Sequence, residues 1–261
     1  VVVCYGSITL AVAALQRRLI YFPTTAPAHE LVAVAQRLGL DPWEIDGEIV
    51  AWRTPSGRRT QKRLIVFHGN AGLALDRSYF LGLPPDPGSW QVILAEYPGY
   101  GSRSSHEPSE QSFRDTARTL LAHLHDEGDQ PVFAVGESIG TGIATWLAGS
   151  HPESVAGLIL VTPLPSLADV AAHHYPWLPV RRLLHDRYDA VEALRSYRGP
   201  IAFVVAEDDD IVPAALGRKL YDAYAGPKRL WVQEAAGHNT LDYDPSWWAD
   251  VFAYLEQAQA G

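Results

Sequence analysis

Ala134-Val135-Gly136-Glu137-Ser138-Ile139-Gly140-Thr141-Gly142 reads as the end of a strand, a Gly-x-Ser-x-Gly turn and the start of a helix. The run Val132-Phe133-Ala134-Val135 leading into it is continuously apolar, and Ile139, Ile143, Ala144 and Leu147 behind it share one helical face. Between strand and helix the two glycines permit a sharp turn, with Ser138 held in a strained conformation above a sheet. Larger side chains at 136 and 140 would clash with the neighbouring strand and helix. The helix that follows directs its free N–H groups and partial positive charge toward the same point, where an oxyanion can develop. This context suits a nucleophilic serine. The plainer reading is a capping serine in an ordinary strand–helix turn.

Working outward, the same alternation covers most of the chain. Short apolar runs appear at Glu48–Trp52 (entered from Trp43–Ile45), Leu64–Phe67, Val92–Ala95, Val155–Val161, Ile201–Ala206 and Leu230–Val232. Runs that are apolar throughout fit strands buried on both faces of a parallel sheet. Helical patterns lie between them, as in Phe113, Ala117, Leu120, Leu121 and Leu124, and in Trp248, Val251, Phe252 and Leu255. Strand and helix in alternation predict a doubly wound α/β sheet. Residues 163–199 depart from the pattern: they hold no good strand but contain Pro163, Pro165, Tyr175, Pro176, Trp177 and Pro179. We read them as a small cap inserted after the sixth strand, with Leu164, Leu167, Tyr175, Trp177, Leu178 and Val212 as candidate residues of an acyl pocket.

A serine hydroxyl needs a base, and the base an orienting acid, in the chain order Ser, acid, His for this architecture. The strand at Ile201–Ala206 runs into Glu207-Asp208-Asp209-Asp210-Ile211-Val212-Pro213, and the last strand leads through Ala236-Gly237 into His238-Asn239. His238 is therefore the candidate base among ten histidines, while four adjacent carboxylates leave the acid open. Phe67-His68-Gly69-Asn70-Ala71-Gly72, a strand running into a loop of small residues, can supply a second backbone N–H to an oxyanion; His68 itself reads as a structural support of that loop. The loop lacks the G-x-x-x-x-G-K-[ST] pattern of nucleotide binding.

Composition narrows the classes further. The net charge of −9 argues against general nucleic-acid binding. The single cysteine, Cys4, excludes an internal disulfide and a cysteine-based zinc site. His173-His174 lacks an acidic or cysteine partner at metal-binding spacing, and no cofactor is expected. Charge is uneven along the chain: residues 1–63 carry a net +3 and the remainder −12. Residues 1–16 are uncharged and Arg17-Arg18 follow at once. Residues 1–23 are thus expected to form a membrane anchor or interfacial helix, with a signal segment cleaved on export as the alternative. Residues 24–261 are expected to form one domain, because the candidate residues draw on strands from nearly its whole length.

The ordered series His68-Gly69-Asn70-Ala71-Gly72, Glu96-Tyr97-Pro98-Gly99-Tyr100-Gly101, Gly136–Gly140, Thr162–Leu167, Asp186-Arg187-Tyr188-Asp189 and Gly237-His238-Asn239 resembles the α/β-hydrolase superfamily. Within it the chain is similar to the BEM46 group, related to the ABHD13 and ABHD17 serine hydrolases. The resemblance implies a mostly parallel sheet of about eight strands, a Ser-His-Asp triad, and commonly an amino-terminal membrane segment. Counting back from Val212-Pro213 in the family pattern selects Asp209, with Asp208 and Asp210 as neighbours in nearly the same register. It also implies that the backbone N–H groups of Asn70 and Ile139 form the oxyanion hole. The expected activity is hydrolysis of carboxylic esters or thioesters through an acyl-enzyme. The substrate is expected to be a small or lipid-like acyl ester or an acylated protein. An amidase or peptidase using the same triad is the first alternative, and a membrane-tethered binding protein without turnover the second.

Overall fold

The computed structural model describes residues 2–57 and 59–260. Its centre is an eight-stranded sheet: β1 (Asp41–Ile45), β2 (Glu48–Arg53), β3 (Lys62–Phe67), β4 (Trp90–Ala95), β5 (Val132–Glu137), β6 (Val155–Val161), β7 (Ile201–Ala206) and β8 (Lys228–Gln233). The spatial order is β8-β7-β6-β5-β3-β4-β2-β1. β2 runs antiparallel to both β1 and β4, and every other pairing is parallel. The mostly parallel α/β-hydrolase architecture expected from the sequence is what forms, with strands at each predicted run.

The continuous apolar runs have the cause inferred for them. On β3, Ile65 and Phe67 enter one core while Leu64 and Val66 enter the other; Phe203 and Val204 of β7 divide in the same way. Helices α3 (Glu110–Glu127), α4 (Gly140–Ser150) and α8 (Ala214–Ala223) cover the first face. The second is covered by α2 (Ala28–Arg37), the 3-10 segment Ala74–Gly82 and α9 (Pro245–Ala260). Chain crossovers to both faces leave the carboxyl ends of β3, β5, β7 and β8 pointing the same way, and the loops that follow them converge there.

The segment after β6 forms three short helices, α5 (Leu167–His174), α6 (Val180–Leu183) and α7 (Ala190–Ala193). The amino-terminal helix α1 (Val2–Ile20) lies along this cap. Gln16, buried between them, donates from Nε2 to the Leu183 carbonyl (3.2 Å) and accepts the His185 N–H (2.8 Å), while Arg17 pairs with Asp186 (3.2 Å). Among the described residues no helix is long and apolar enough to cross a membrane. After α1 the chain passes straight into the site: Phe22-Pro23 pairs in parallel with Ala71-Gly72.

Candidate active site

Ser138 occupies the turn between β5 and α4 with φ +54°, the left-handed region that costs a non-glycine residue about 1–2 kcal/mol. The surroundings hold it there. Its N–H donates to the Val161 carbonyl (2.9 Å), a Cβ on Gly136 would meet the Gly140 carbonyl and the Thr141 backbone, and a Cβ on Gly140 would overlap the Phe67 carbonyl. The elbow is therefore wedged between β3 and β6, and the two glycines are required by close approach.

His238 Nε2 lies 3.0 Å from Ser138 Oγ, and His238 Nδ1 lies 2.7 Å from Asp209 Oδ2. With the Nδ1 proton donated to Asp209, Nε2 is free to accept the hydroxyl proton. Of the four adjacent acids the structure brings Asp209 to the histidine. Its other oxygen, Oδ1, accepts the N–H groups of Ile211 (2.9 Å) and Val212 (2.7 Å), and the residue is only 7% exposed. Val212 is buried and Pro213 caps α8, so the Val-Pro pair anchors the turn that aims Asp209 inward. Glu207 turns outward to pair with Arg218, and Asp208 and Asp210 are exposed. The acid and histidine loops are tied together by the Asp208 N–H, which donates to the Ala236 carbonyl (3.0 Å).

Asn70 is fixed on three sides. Its Nδ2 donates to the Ile20 carbonyl (2.9 Å), and its own carbonyl accepts the Phe22 N–H (3.0 Å) and the Tyr100 hydroxyl (2.7 Å). Among the described residues, the backbone N–H groups of Asn70 and Ile139 donate to no backbone acceptor. His68, fully buried beneath this loop, packs at a tilt against Tyr97 (ring centroids 4.3 Å apart) and hydrogen-bonds the Gly69 carbonyl through Nδ1 (2.8 Å). Burial, helped by the Arg77 charge, pushes its imidazole down to about 3, so it is neutral across the working range. Its neighbour Glu96 is pushed up to about 7 by burial, against hydrogen bonds from Trp52 and the Ala74 N–H.

Ser138, His238 and Asn70 open into one cavity of about 690 Å³, whose wall also includes Phe22, Arg77, Tyr79, Glu137, Ile211, Leu241 and Tyr243. The residues expected to form an acyl pocket, Leu164, Leu167, Tyr175, Trp177, Leu178 and Val212, are absent from this wall. Leu164 and Val212 are committed to the core, Leu167 packs against it, and Tyr175 and Trp177 are exposed on the cap. The cause is topological: the cavity opens between the 3-10 segment and the histidine loop, whereas the cap is held down against α1. Arg77, Tyr79, Glu137 and Tyr243 escaped the sequence reading. The available signal was Glu137 itself, a charge between an apolar strand and the serine.

The chain is similar to other proteins of this fold. A family model described as alpha/beta hydrolase fold matches residues 62–189. An uncharacterized protein from Mycobacterium tuberculosis is 37% identical over 239 residues, covering 86% of this chain and 80% of that one. The lysophosphatidylserine lipase ABHD12 of Danio rerio is 29% identical over 209 residues, or 72% of this chain; the match spans only 53% of that longer protein. Among solved structures, Est1E from Butyrivibrio proteoclasticus superposes with a TM-score of 0.66 at 14% identity, covering 85% of this chain and 100% of that one. At that identity the likeness is one of fold.

Proposed function

Since the chain belongs to the α/β-hydrolase superfamily, we propose that it is a serine hydrolase of carboxylic esters and thioesters, with Ser138 as nucleophile, His238 as base and Asp209 as orienting acid. The observation that carries this reading is the continuous hydrogen-bonded line Ser138 Oγ–His238–Asp209 at 3.0 and 2.7 Å, opening into a cavity beside an unspent N–H on Asn70. The motif series from His68 to His238 supports placement in the BEM46-like group.

His238 removes the Ser138 proton as Oγ attacks the acyl carbonyl, and the oxyanion takes hydrogen bonds from the Asn70 and Ile139 N–H groups. His238 then protonates the departing alcohol or thiol. In the second half it takes a proton from water as the water oxygen attacks the acyl-enzyme carbonyl, and gives that proton to Ser138 Oγ as the carboxylic acid leaves. Each oxyanion donor contributes about 10²–10³ in rate, and the base about 10²–10⁴. Asp209 holds the imidazole tautomer throughout.

Incubation with a fluorophosphonate probe followed by peptide mapping tests the reading. Stoichiometric labelling confined to Ser138 is expected, together with hydrolysis of p-nitrophenyl acyl esters. Absence of labelling on folded protein favours a binding role instead, and faster turnover of matched peptides than of esters favours an amidase.

A lipid surface as the place of action is a further part of this proposal. α1 leaves Leu10 (73%), Leu15 and Leu19 exposed, Trp177 (55%) projects from the cap, and exposed Phe22 forms part of the cavity wall. These side chains suit contact with the acyl boundary of a bilayer, and Arg17-Arg18 suit anionic headgroups. Flotation of the full chain with phosphatidylglycerol vesicles is expected to carry it to the lipid fraction. Recovery wholly in the dense fraction, with or without anionic lipid, would end this part.

A further inference from the structure

Glu137 precedes the candidate nucleophile, and its carboxylate is a junction between three separate segments. Oε1 accepts hydrogen bonds from the Tyr79 hydroxyl (2.6 Å) and the Tyr243 hydroxyl (2.9 Å), and Oε2 accepts one from Arg77 Nε (2.8 Å). Arg77 in turn donates from Nη1 to the carbonyl of Ala71 (3.3 Å), the residue after Asn70. Tyr243 lies five residues beyond His238; its ring packs 4.0 Å from that of Tyr79 and stacks on Trp248 of α9. The oxyanion loop, the serine elbow and the end of the histidine loop thus meet on one carboxylate.

Such an arrangement is expensive as a folding device. The Glu137 side chain is 13% exposed and Arg77 is 17% exposed, and withdrawing two charges from water costs several kcal/mol per ion before their attraction is counted. Apolar side chains would fill the same space at lower cost. Burial on its own would raise the Glu137 carboxyl, but the Arg77 charge and the donors on Tyr79, Arg77 and Tyr243 outweigh it and hold the group below the usual carboxylate range. Both tyrosines are pushed up by burial and by the Glu137 charge, so they stay protonated as donors. What a fixed charge supplies, and an apolar filler does not, is direction: three bonds with defined lengths that tie the serine elbow to the 3-10 segment behind the Asn70 loop and to the end of the histidine loop.

We infer that Glu137 is a positioning residue, which sets the placement of the His238 loop and the Asn70 loop relative to Ser138 through Tyr243 and Arg77. It makes no hydrogen bond to Ser138 or His238, so its effect is exerted through those partners. The inference rests on the serine-hydrolase reading, because the elements it joins are those that supply nucleophile, base and oxyanion donor.

Four proteins separate the possibilities: wild type, Glu137→Gln, Tyr243→Phe and the double variant, each assayed for p-nitrophenyl butyrate turnover, fluorophosphonate labelling rate and thermal unfolding. Misplacement of reacting groups by about 1 Å costs up to about 100-fold. Glu137→Gln and Tyr243→Phe are each expected to lower kcat by at least tenfold with KM within threefold of wild type, and to slow labelling in proportion. Because one junction is broken by either change, the double variant is expected to be no slower than Glu137→Gln alone. Restored kcat in Glu137→Asp, which keeps the charge, would add support. Unchanged kcat in folded Tyr243→Phe, or losses that multiply in the double variant, overturns the inference. If Glu137→Gln does not fold, Tyr243→Phe still decides, since it removes one hydroxyl and leaves the buried ion pair intact. A wild type that fails to label overturns the serine-hydrolase reading instead, which keeps the two failures distinct.

Discussion

Ser138→Ala is expected to reduce kcat toward p-nitrophenyl esters by about 10⁶-fold, the loss typical when the nucleophile of a working triad is removed. The more informative companion is Ser138→Gly. In wild type the residue sits at φ +54°, fixed by its N–H bond to Val161 and by the wedge of Gly136 and Gly140. Glycine releases about 1–2 kcal/mol of left-handed strain, against about 0.4–1 kcal/mol of extra freedom in the unfolded chain. It also gives up the hydroxyl bond to His238, a further ~1 kcal/mol. The balance predicts that Ser138→Gly unfolds within about 1 kcal/mol of wild type while losing activity as completely as the alanine variant. Denaturant unfolding and steady-state rates measured on the same preparations check this. Substantial residual turnover in both variants would remove Ser138 from the chemistry.

The strain at Ser138 explains why the elbow was readable in the sequence. Local rules are visible when something breaks them, and glycines at 136 and 140 around a serine, after a run such as Val132–Val135, have few other uses. The strands were legible for a related reason. Burial on both faces leaves little room for polar residues, so the stretches Leu64–Phe67, Val132–Val135, Val155–Val161 and Ile201–Ala206 announce themselves as unbroken apolar runs. His238 could be placed because it follows the last strand. The cavity wall could not, because its members, Phe22, Arg77, Tyr79 and Tyr243, come from segments whose proximity is a property of the folded topology alone. Trp177 and Tyr175 show the converse: aromatic residues in a cap look like a pocket, but in the fold both are exposed on the cap and neither reaches the cavity wall. The contact of residues 20–23 with Asn70 was likewise invisible, since the Ile20 carbonyl that accepts from Asn70 and the Phe22 N–H that donates to it are backbone groups, which carry no mark in residue type. Those contacts make the segment beyond α1 part of the site wall.

Asp209→Asn is expected to lower kcat by about 10⁴-fold, while Asp208→Asn and Asp210→Asn stay within about twofold of wild type. Sequence alone left these acids nearly equivalent; the folded chain separates them by what each oxygen can accept. Oδ1 of Asp209 takes two backbone N–H groups, from Ile211 at 2.9 Å and Val212 at 2.7 Å. Those donors are fixed by the buried Val212 and would hold the amide oxygen of an asparagine on their side. The amide NH₂ would then face His238 Nδ1, where Asp209 Oδ2 now stands at 2.7 Å. An N–H donor in that position requires Nδ1 to become the acceptor, which moves the ring proton to Nε2. Nε2–H, 3.0 Å from Ser138 Oγ, cannot accept the hydroxyl proton, so the base is lost although every atom keeps its place. The defect should therefore appear in kcat with KM little changed, and fluorophosphonate labelling of Ser138 should slow with it. Asp208 and Asp210 are solvent-exposed; exchanging them alters surface charge near the rim, an effect screened within about 8 Å at physiological ionic strength. A large loss in Asp208→Asn or Asp210→Asn, with Asp209→Asn near wild type, would show that the acid is not the one whose turn Val212 and Pro213 hold in place.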